Sequence, residues 1–426
     1  MKSNKTHTIL IMGLALFATF FGAGNLIFPP YLGREAGTDW FIGFLGFFLV
    51  DVGMGVLAIL ATVYNRRGDI QGVVGKIGAF PGKVMATIII LCIGPGLVIP
   101  RTAATTYEMG ISKLMPGSSI WLFSAIFFVI SLALTIRPNK VVDIVGKYLT
   151  PVLVAVLVVL MVIGVASPLE EASAAPEIVP LKEGILSGYQ TMDGIGALLL
   201  TGIVTSAAMS KGYTDKKEVS GMVALAGIIA GVLLMIVYCG LTYLGATTSS
   251  IESFAAYEQA GLLMAIVQAL MGKYGAVLLT IIVFLACLTT AVGLTSVASD
   301  YFHEISGGKL KYTHLVIVIT VISFVISNMG LSSIIRFSGP ILGLLYPPVL
   351  VLVLLTFFDE KLQNDNIACF AAYGAFLISV LEWATSYWVP FGFVKSLPLA
   401  EFWCAWVVPA VICGIIGACF KRKANA

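Results

Sequence analysis

The residues able to do chemistry in this 426-residue chain gather at three places. The first is Gly22-Ala23-Gly24-Asn25, followed by Pro29-Pro30, inside an otherwise apolar run. A Gly costs roughly 1 kcal/mol relative to Ala in a helix, so a break is expected there. A helix restarting after Asn25 would turn free N–H groups and a positive dipole end outward at Leu26 and Ile27, which suits a carboxylate. The second place is Thr191-Met192-Asp193-Gly194-Ile195-Gly196. Carbonyls freed at Thr191 and Met192 can accept from an ammonium group. Asp193 either adds a charge or N-caps the restarting helix, and both readings stand. The third is Ala286-Cys287-Leu288-Thr289-Thr290. The hydroxyls of Thr289 and Thr290 and the carbonyl of Ala286 are neutral oxygens of the kind that holds sodium, with carbonyls near Ala18 and Phe21 completing the set. The competing reading is that the threonines bond back to the preceding turn or across to a neighbour.

Other residues are secondary. Gly94-Pro95-Gly96 and Pro100-Arg101 must kink or open a helix, as a pocket wall or as a bent packing element. Arg101 and Glu108 share a face. They can pair with each other, or with Asp193 and Arg336 respectively, as an external gate. Asp51, between Val50 and Val52, needs a partner or a proton. Phe17, Phe21, Leu97 and Leu198 are candidate pocket walls. The seven cysteines form no C-x-x-C pair and the three histidines are scattered, so zinc and haem sites lose their usual ligands. A membrane enzyme would need convergent acids, metal ligands or a nucleophile with its base, and none is visible. A net charge of +3 gives nucleic acid no purchase.

The elements that must position these residues follow from composition. The chain is 59% apolar and 11% charged, against about 25% charged in a soluble domain. An all-α polytopic membrane protein is expected, with spans near 9–31, 40–64, 83–112, 119–136, 141–165, 181–210, 221–245, 273–299, 313–328, 332–357, 366–388 and 400–420. These are 12 transmembrane helices, an even count that leaves both termini on one side. That side carries Lys2, Lys5, Arg66, Arg67, Lys76, Lys83, Arg137, Lys140, Lys147, Lys211, Lys216, Lys217, Lys309, Lys311, Lys361, Lys421, Arg422 and Lys423. Only Arg34, Lys113, Lys182, Lys273 and Lys395 fall opposite, which makes the termini cytoplasmic. The two Gly-rich interruptions lie five spans apart, so the second unit is inverted relative to the first. Repeats of about 9–165 and 181–357 follow, a 5+5 inverted repeat with discontinuous helices 1 and 6 and two additional helices over about 366–420. Paired interrupted spans point to a secondary transporter with a midplane site, and one transporter domain over 1–426 is expected.

With these motifs in view, the chain resembles the bacterial branched-chain amino acid carriers, the BrnQ-type cation symporters. The resemblance rests on Gly22 through Pro30, Gly94-Pro95 with Pro100-Arg101-Thr102-Ala103, Thr191-Met192-Asp193, Ala286 through Thr295, Ser327-Asn328 with Gly330-Leu331-Ser332, and Tyr346-Pro347-Pro348. It implies import of leucine, isoleucine and valine across the bacterial inner membrane, driven by sodium, with protons as the alternative. It also implies the leucine-transporter fold, in which Gly22-Ala23-Gly24-Asn25 matches the first-helix break, Met192 through Ala197 the sixth-helix break, and Ala286, Thr289 and Thr290 the sodium motif. Two departures stand out. Asp193 replaces a neutral residue, and Phe28 replaces the first-helix arginine of an outer gate.

The expectation is therefore a sodium-coupled symporter, not an enzyme, with no cofactor beyond the coupling ion. Its partners are branched-chain amino acids, sodium and the lipid bilayer, without nucleic acid or an obligatory protein partner. The alternative is a proton-coupled carrier using Asp193 or Asp51.

Overall fold

Long apolar runs become helices because a bilayer offers backbone groups no water, and a helix satisfies them within one segment. A computed structural model of the chain describes residues 4–65, 67–136, 147–148, 150–174, 178–362, 364–387 and 391–420. Among the described residues the elements are helical and no strand occurs. Seven helices, counting those continuous through a bend or break, are long and apolar enough to cross a membrane, and five shorter apolar helices accompany them.

The chain opens with α1 (Lys5–Phe20), whose cap Asn4 accepts from the Thr6 N–H, and α2 (Ala23–Ala36). Phe21 and Gly22 separate them. Next come α3 (Trp40–Phe48) and α4 (Met54–Tyr64), joined by a π-helical segment Leu49–Gly53. The short α5 (Ile70–Val74) precedes α6 (Ala79–Leu91) and α7 (Val98–Thr106). Between those two, Gly94 leaves helical backbone at ψ −119°. A further π segment, Tyr107–Ile111, leads into α8 (Ser112–Leu114), followed by α9 (Ile120–Thr135) and α10 (Thr150–Ala166). Met192, at φ 72° and ψ 7°, divides α11 (Pro180–Thr191) from α12 (Asp193–Ser210). Then come α13 (Lys216–Ala246), α14 (Glu252–Ala255), and α15 (Gln259–Ile305), which bends at Gly272. The chain finishes with α16 (Tyr312–Ser327), α17 (Leu331–Thr356), α18 (Asp359–Leu362), α19 (Asp365–Tyr387), α20 (Gly392–Lys395) and α21 (Val407–Ala418).

Two sequence expectations change. The helix after the first break restarts at Ala23, not after Asn25, because Gly22 alone takes the extended conformation at φ −118° and ψ −156°. The groups lacking an intrahelical partner are then the N–H groups of Gly22 through Asn25, while those of Leu26 and Ile27 join the helix ladder. The last span begins at Val407 and not near residue 400, since Leu399 and Trp403 are both left-handed and a 3-10 turn lies between them. Of the cations used for orientation, Lys2, Arg66, Arg137, Lys140, Lys421, Arg422 and Lys423 lie outside the described residues, as does the start of the span expected at 141–165.

Both broken helices sit at the centre of the packing. The α13 helix lies along α1 and α2, α15 along α1, α2 and α7, α3 against α11, and α4 against α12. The α19 helix packs on α17 and α21 at the periphery. Lys76 ties the loop after α5 to this region, donating to Thr356 Oγ1 at 2.8 Å and Asp359 Oδ1 at 2.6 Å.

Candidate functional site

The end of α1 is where the chain first becomes electronegative inside the apolar core. The last four carbonyls of a helix have no intrahelical partner. Here those of Ala18 and Thr19 turn toward α15. Thr289 Oγ1 donates to Ala18 O at 2.7 Å and to Ala286 O at 2.9 Å. Thr290 Oγ1 donates to Thr19 O at 2.9 Å and to Ala18 O at 3.4 Å. A hydroxyl carries one hydrogen, so two hydrogens serve three carbonyls, and the hydroxyl oxygens keep their own lone pairs. Thr289 is 0% and Thr290 3% exposed, so bulk solvent does not reach the cluster. Gly22 permits this approach, because a Cβ there would stand 2.8 Å from Thr290 Oγ1. Thr19 is the carbonyl the sequence did not single out. The ring of Phe21 is stacked between Phe17 at 5.4 Å and Tyr238 at 6.0 Å between centroids.

The second break supplies acids and carbonyls. Asp193 does not cap its own helix. Its Oδ2 accepts from Asn25 Nδ2 at 2.7 Å, and Asn25 also donates to the hydroxyl of Tyr238 on α13. This links the first break, the second break and α13 through buried side chains. Asp51, wholly buried on the π segment, accepts from Thr191 Oγ1, which also faces Gly188 O at 2.6 Å. Asp51 and Asp193 are neighbours across this junction, and Asp51 Oδ2 has no donor. Tyr346 of α17 accepts from Gly194 N at 3.1 Å and holds the start of α12. Tyr238 was not legible beforehand, and Tyr346 entered only as part of the Tyr346-Pro347-Pro348 resemblance without a role, because nothing in local spacing marks a tyrosine that reaches another span.

Between the breaks lies a cavity of about 20 Å³. Gly22, Ala23, Asn25, Thr191, Met192, Asp193 and Gly196 line it, together with Thr19, Thr290 and Arg101. Its apolar wall is Phe20, Ile93, Val98, Leu200 and Leu294. Gly24, Leu26 and Gly194 stand behind the surface, and Phe17 and Leu97 are buried but do not border it. The kink at Gly94-Pro95 packs on α15, with Ala298 Cβ 3.3 Å from where a Gly94 Cβ would lie. Leu198, expected as a pocket wall, lines a separate 380 Å³ vestibule toward Ser210, with Asp69, Ser206 and Asp300.

The expected gate pairs do not form. Arg101 donates through Nη1 to Gln190 O at 2.8 Å and through Nη2 to Thr191 O at 3.4 Å. Glu108 caps α17 by accepting from Leu331 N at 2.7 Å. Arg336 is exposed. The reason is geometric: free carbonyls at the end of α11 and free N–H groups at the start of α17 lie nearer than the opposite charges.

Comparison with known proteins places this geometry among carriers. The model of a family described as branched-chain amino acid transport protein matches residues 5–424. The chain is 33% identical over 441 residues to the branched-chain amino acid permease BrnQ of Bacillus subtilis (strain 168), covering 100% of each. It is 34% identical over 431 residues to the branched-chain amino acid permease BrnQ of Escherichia coli (strain K12), covering 99% of this chain and 97% of that one. Among solved structures it resembles a Na+-coupled sialic acid symporter in its substrate-bound outward-open state, with TM-score 0.63, 14% identity, and 98% and 91% of the two chains covered. It also resembles MHP1, a nucleobase-cation-symport-1 family transporter in a closed conformation with bromovinylhydantoin bound, with TM-score 0.65, 12% identity, and 96% and 91% covered. At these identities the structural likeness is one of fold.

Proposed function

The chain belongs to the family of branched-chain amino acid transport proteins, and from that premise we propose that it imports leucine, isoleucine and valine by sodium-coupled symport. It is a multi-pass membrane carrier and not an enzyme. The proposal includes twelve spans as a 5+5 inverted repeat with two further helices, one transporter unit over the whole chain, a bacterial inner-membrane location and cytoplasmic termini. In this reading the substrate lies between the two breaks and its aliphatic tail meets Ile93, Val98, Leu200 and Leu294. One methylene more or less in such a wall is worth about 1–3 kcal/mol, so the three side chains are recognised together.

The observation that carries sodium is the oxygen cluster of Ala18, Thr19, Ala286, Thr289 and Thr290, five buried oxygens sharing two hydroxyl hydrogens. A monovalent cation there would tie α1 to α15 and hold the first break in its substrate-binding shape. Its release would loosen both. Leucine uptake into proteoliposomes, with and without an inward sodium gradient at fixed pH, tests the coupling. We expect Thr289→Ala and Thr290→Ala each to raise the sodium concentration for half-maximal uptake about tenfold, the loss of one buried oxygen ligand being worth roughly 1.4 kcal/mol. Unchanged sodium activation counts against the site.

Proton coupling is the second reading, and donor counting at Asp51 favours it. Thr191 has one hydroxyl hydrogen for both Asp51 and Gly188 O. A proton on Asp51 would donate to Thr191 and leave that hydroxyl for the carbonyl. Sodium-independent uptake with alkalinisation outside the vesicles, abolished in Asp51→Asn, would replace the sodium mechanism.

A further inference from the structure

A buried guanidinium with no anion is an unusual thing for a core to tolerate, since an unpaired internal charge is strongly destabilising. Arg101 is 1% exposed. Among the described residues no carboxylate lies within ion-pair distance of it. Asp193, which shares the cavity with it, is engaged by Asn25 at 2.7 Å. The two hydrogen bonds Arg101 makes go to the neutral carbonyls of Gln190 and Thr191. Its Nε is buried and has no partner. One face of the guanidinium lies 5.9 Å from the centroid of Phe28, so that ring and the α11 carbonyls already fix its plane. Its Nη2 stands 2.7 Å from where a Gly24 Cβ would be, so the charge sits beside the free N–H groups at the start of α2. Two sources of positive potential, a helix N-terminus and a guanidinium, therefore converge on one end of the cavity. The opposite polarity, Asp193, lines the same cavity and is held by Asn25 of α2.

Resting on the transport reading above, we infer that Arg101 binds the α-carboxylate of the transported amino acid, and that the α2 N–H groups assist it. Arg offers five donors in a planar fork that matches a carboxylate, and two of the five are committed here. The plain alternative is that Arg101 only caps the C-terminal end of α11, where a cation is favoured. That role accounts for the two carbonyl contacts but not for the Nε donor left bare in a side chain that lines the cavity. Carboxylate binding accounts for both, because the carbonyl contacts orient the fork and leave Nε for the ligand.

The test compares leucine with leucinamide, which keeps the ammonium and the side chain and lacks the negative charge. Displacement of radiolabelled leucine from the purified full-length chain gives both affinities, in the wild type and in Arg101→Gln and Arg101→Lys. The wild type is expected to prefer leucine, and Arg101→Gln to cut that preference at least tenfold by losing leucine while leaving leucinamide nearly unmoved. Arg101→Lys, which keeps the charge without the fork, should fall between them. A preference unchanged in either variant, or an equal loss of both ligands, overturns the inference in favour of the capping role. Should the wild-type chain itself neither bind nor take up leucine, the transport reading fails first and this inference falls with it.

Discussion

The site depends on donors being fewer than acceptors. Two threonine hydroxyls serve three carbonyls where the end of α1 meets α15, and both hydrogens of the Asn25 amide are committed, to Asp193 and Tyr238. Asn25→Ala would leave a buried carboxyl without its donor, a loss of about 1–3 kcal/mol or about 5–150-fold. We expect the KM for leucine to rise within that range, while Tyr238→Phe, which leaves the Asn25–Asp193 bond in place, raises it less. Uptake kinetics on the two variants check the order. At this scale the sequence was readable where chemistry is local. Ala286, Thr289 and Thr290 share a helix within one turn, and Asn25 and Asp193 lie in their interruptions. Thr19, Tyr238 and Tyr346 were not readable, since what they do is decided by which span each faces. Arg101 was noticed as a charge, but its partners are backbone carbonyls, which no residue pattern advertises.

The breaks are made by different means. At the first, Gly22 takes an extended conformation and its missing Cβ admits Thr290. At the second, the helix is interrupted by Met192 in the left-handed region, a conformation that a non-glycine residue holds at about 1–3 kcal/mol. In the sequence the interruption reads as Asp193-Gly194-Ile195-Gly196 with the helix stopping around Thr191 and Met192; the stop falls there, at Met192, while the glycines at 194 and 196 both belong to α12. Glycine content is thus a guide to the neighbourhood of a break and not to its hinge. Met192→Gly should keep the break and transport, whereas Met192→Val adds β-branch crowding to an unfavourable backbone. The expected order of thermal midpoints in detergent is Met192→Gly above Met192→Val, with leucine uptake following it. The π segments carrying Asp51 and Glu108 had no sequence signal, because a one-residue widening of a helix leaves its apolar pattern almost intact.

Across the whole molecule, hydropathy found the helical runs because lipid imposes one rule on every span. It could not find the vestibule of 380 Å³ that opens beside Asp69, Ser206 and Asp300, because that space is set by how the ends of α4, α12 and α15 diverge. Chain direction places these ends on the same side as the start of α1. Ser206→Cys, in a chain whose native cysteines are replaced, should therefore react with a membrane-impermeant thiol reagent in inside-out vesicles and not in right-side-out ones. Saturating leucine with sodium should change that rate several-fold as the carrier turns; a rate equal from both faces would reverse or abolish the proposed orientation.

The small central cavity has a further consequence for the cell. At about 20 Å³ it has room for roughly one water molecule, since one needs about 10–15 Å³ of such space. A carrier that recrosses in this closed form brings almost no solvent with it and offers no continuous water file along which protons could hop. Under the proposed ion coupling, the gradient then stays intact while the carrier idles, and it is drawn down only when a nutrient molecule makes the passage.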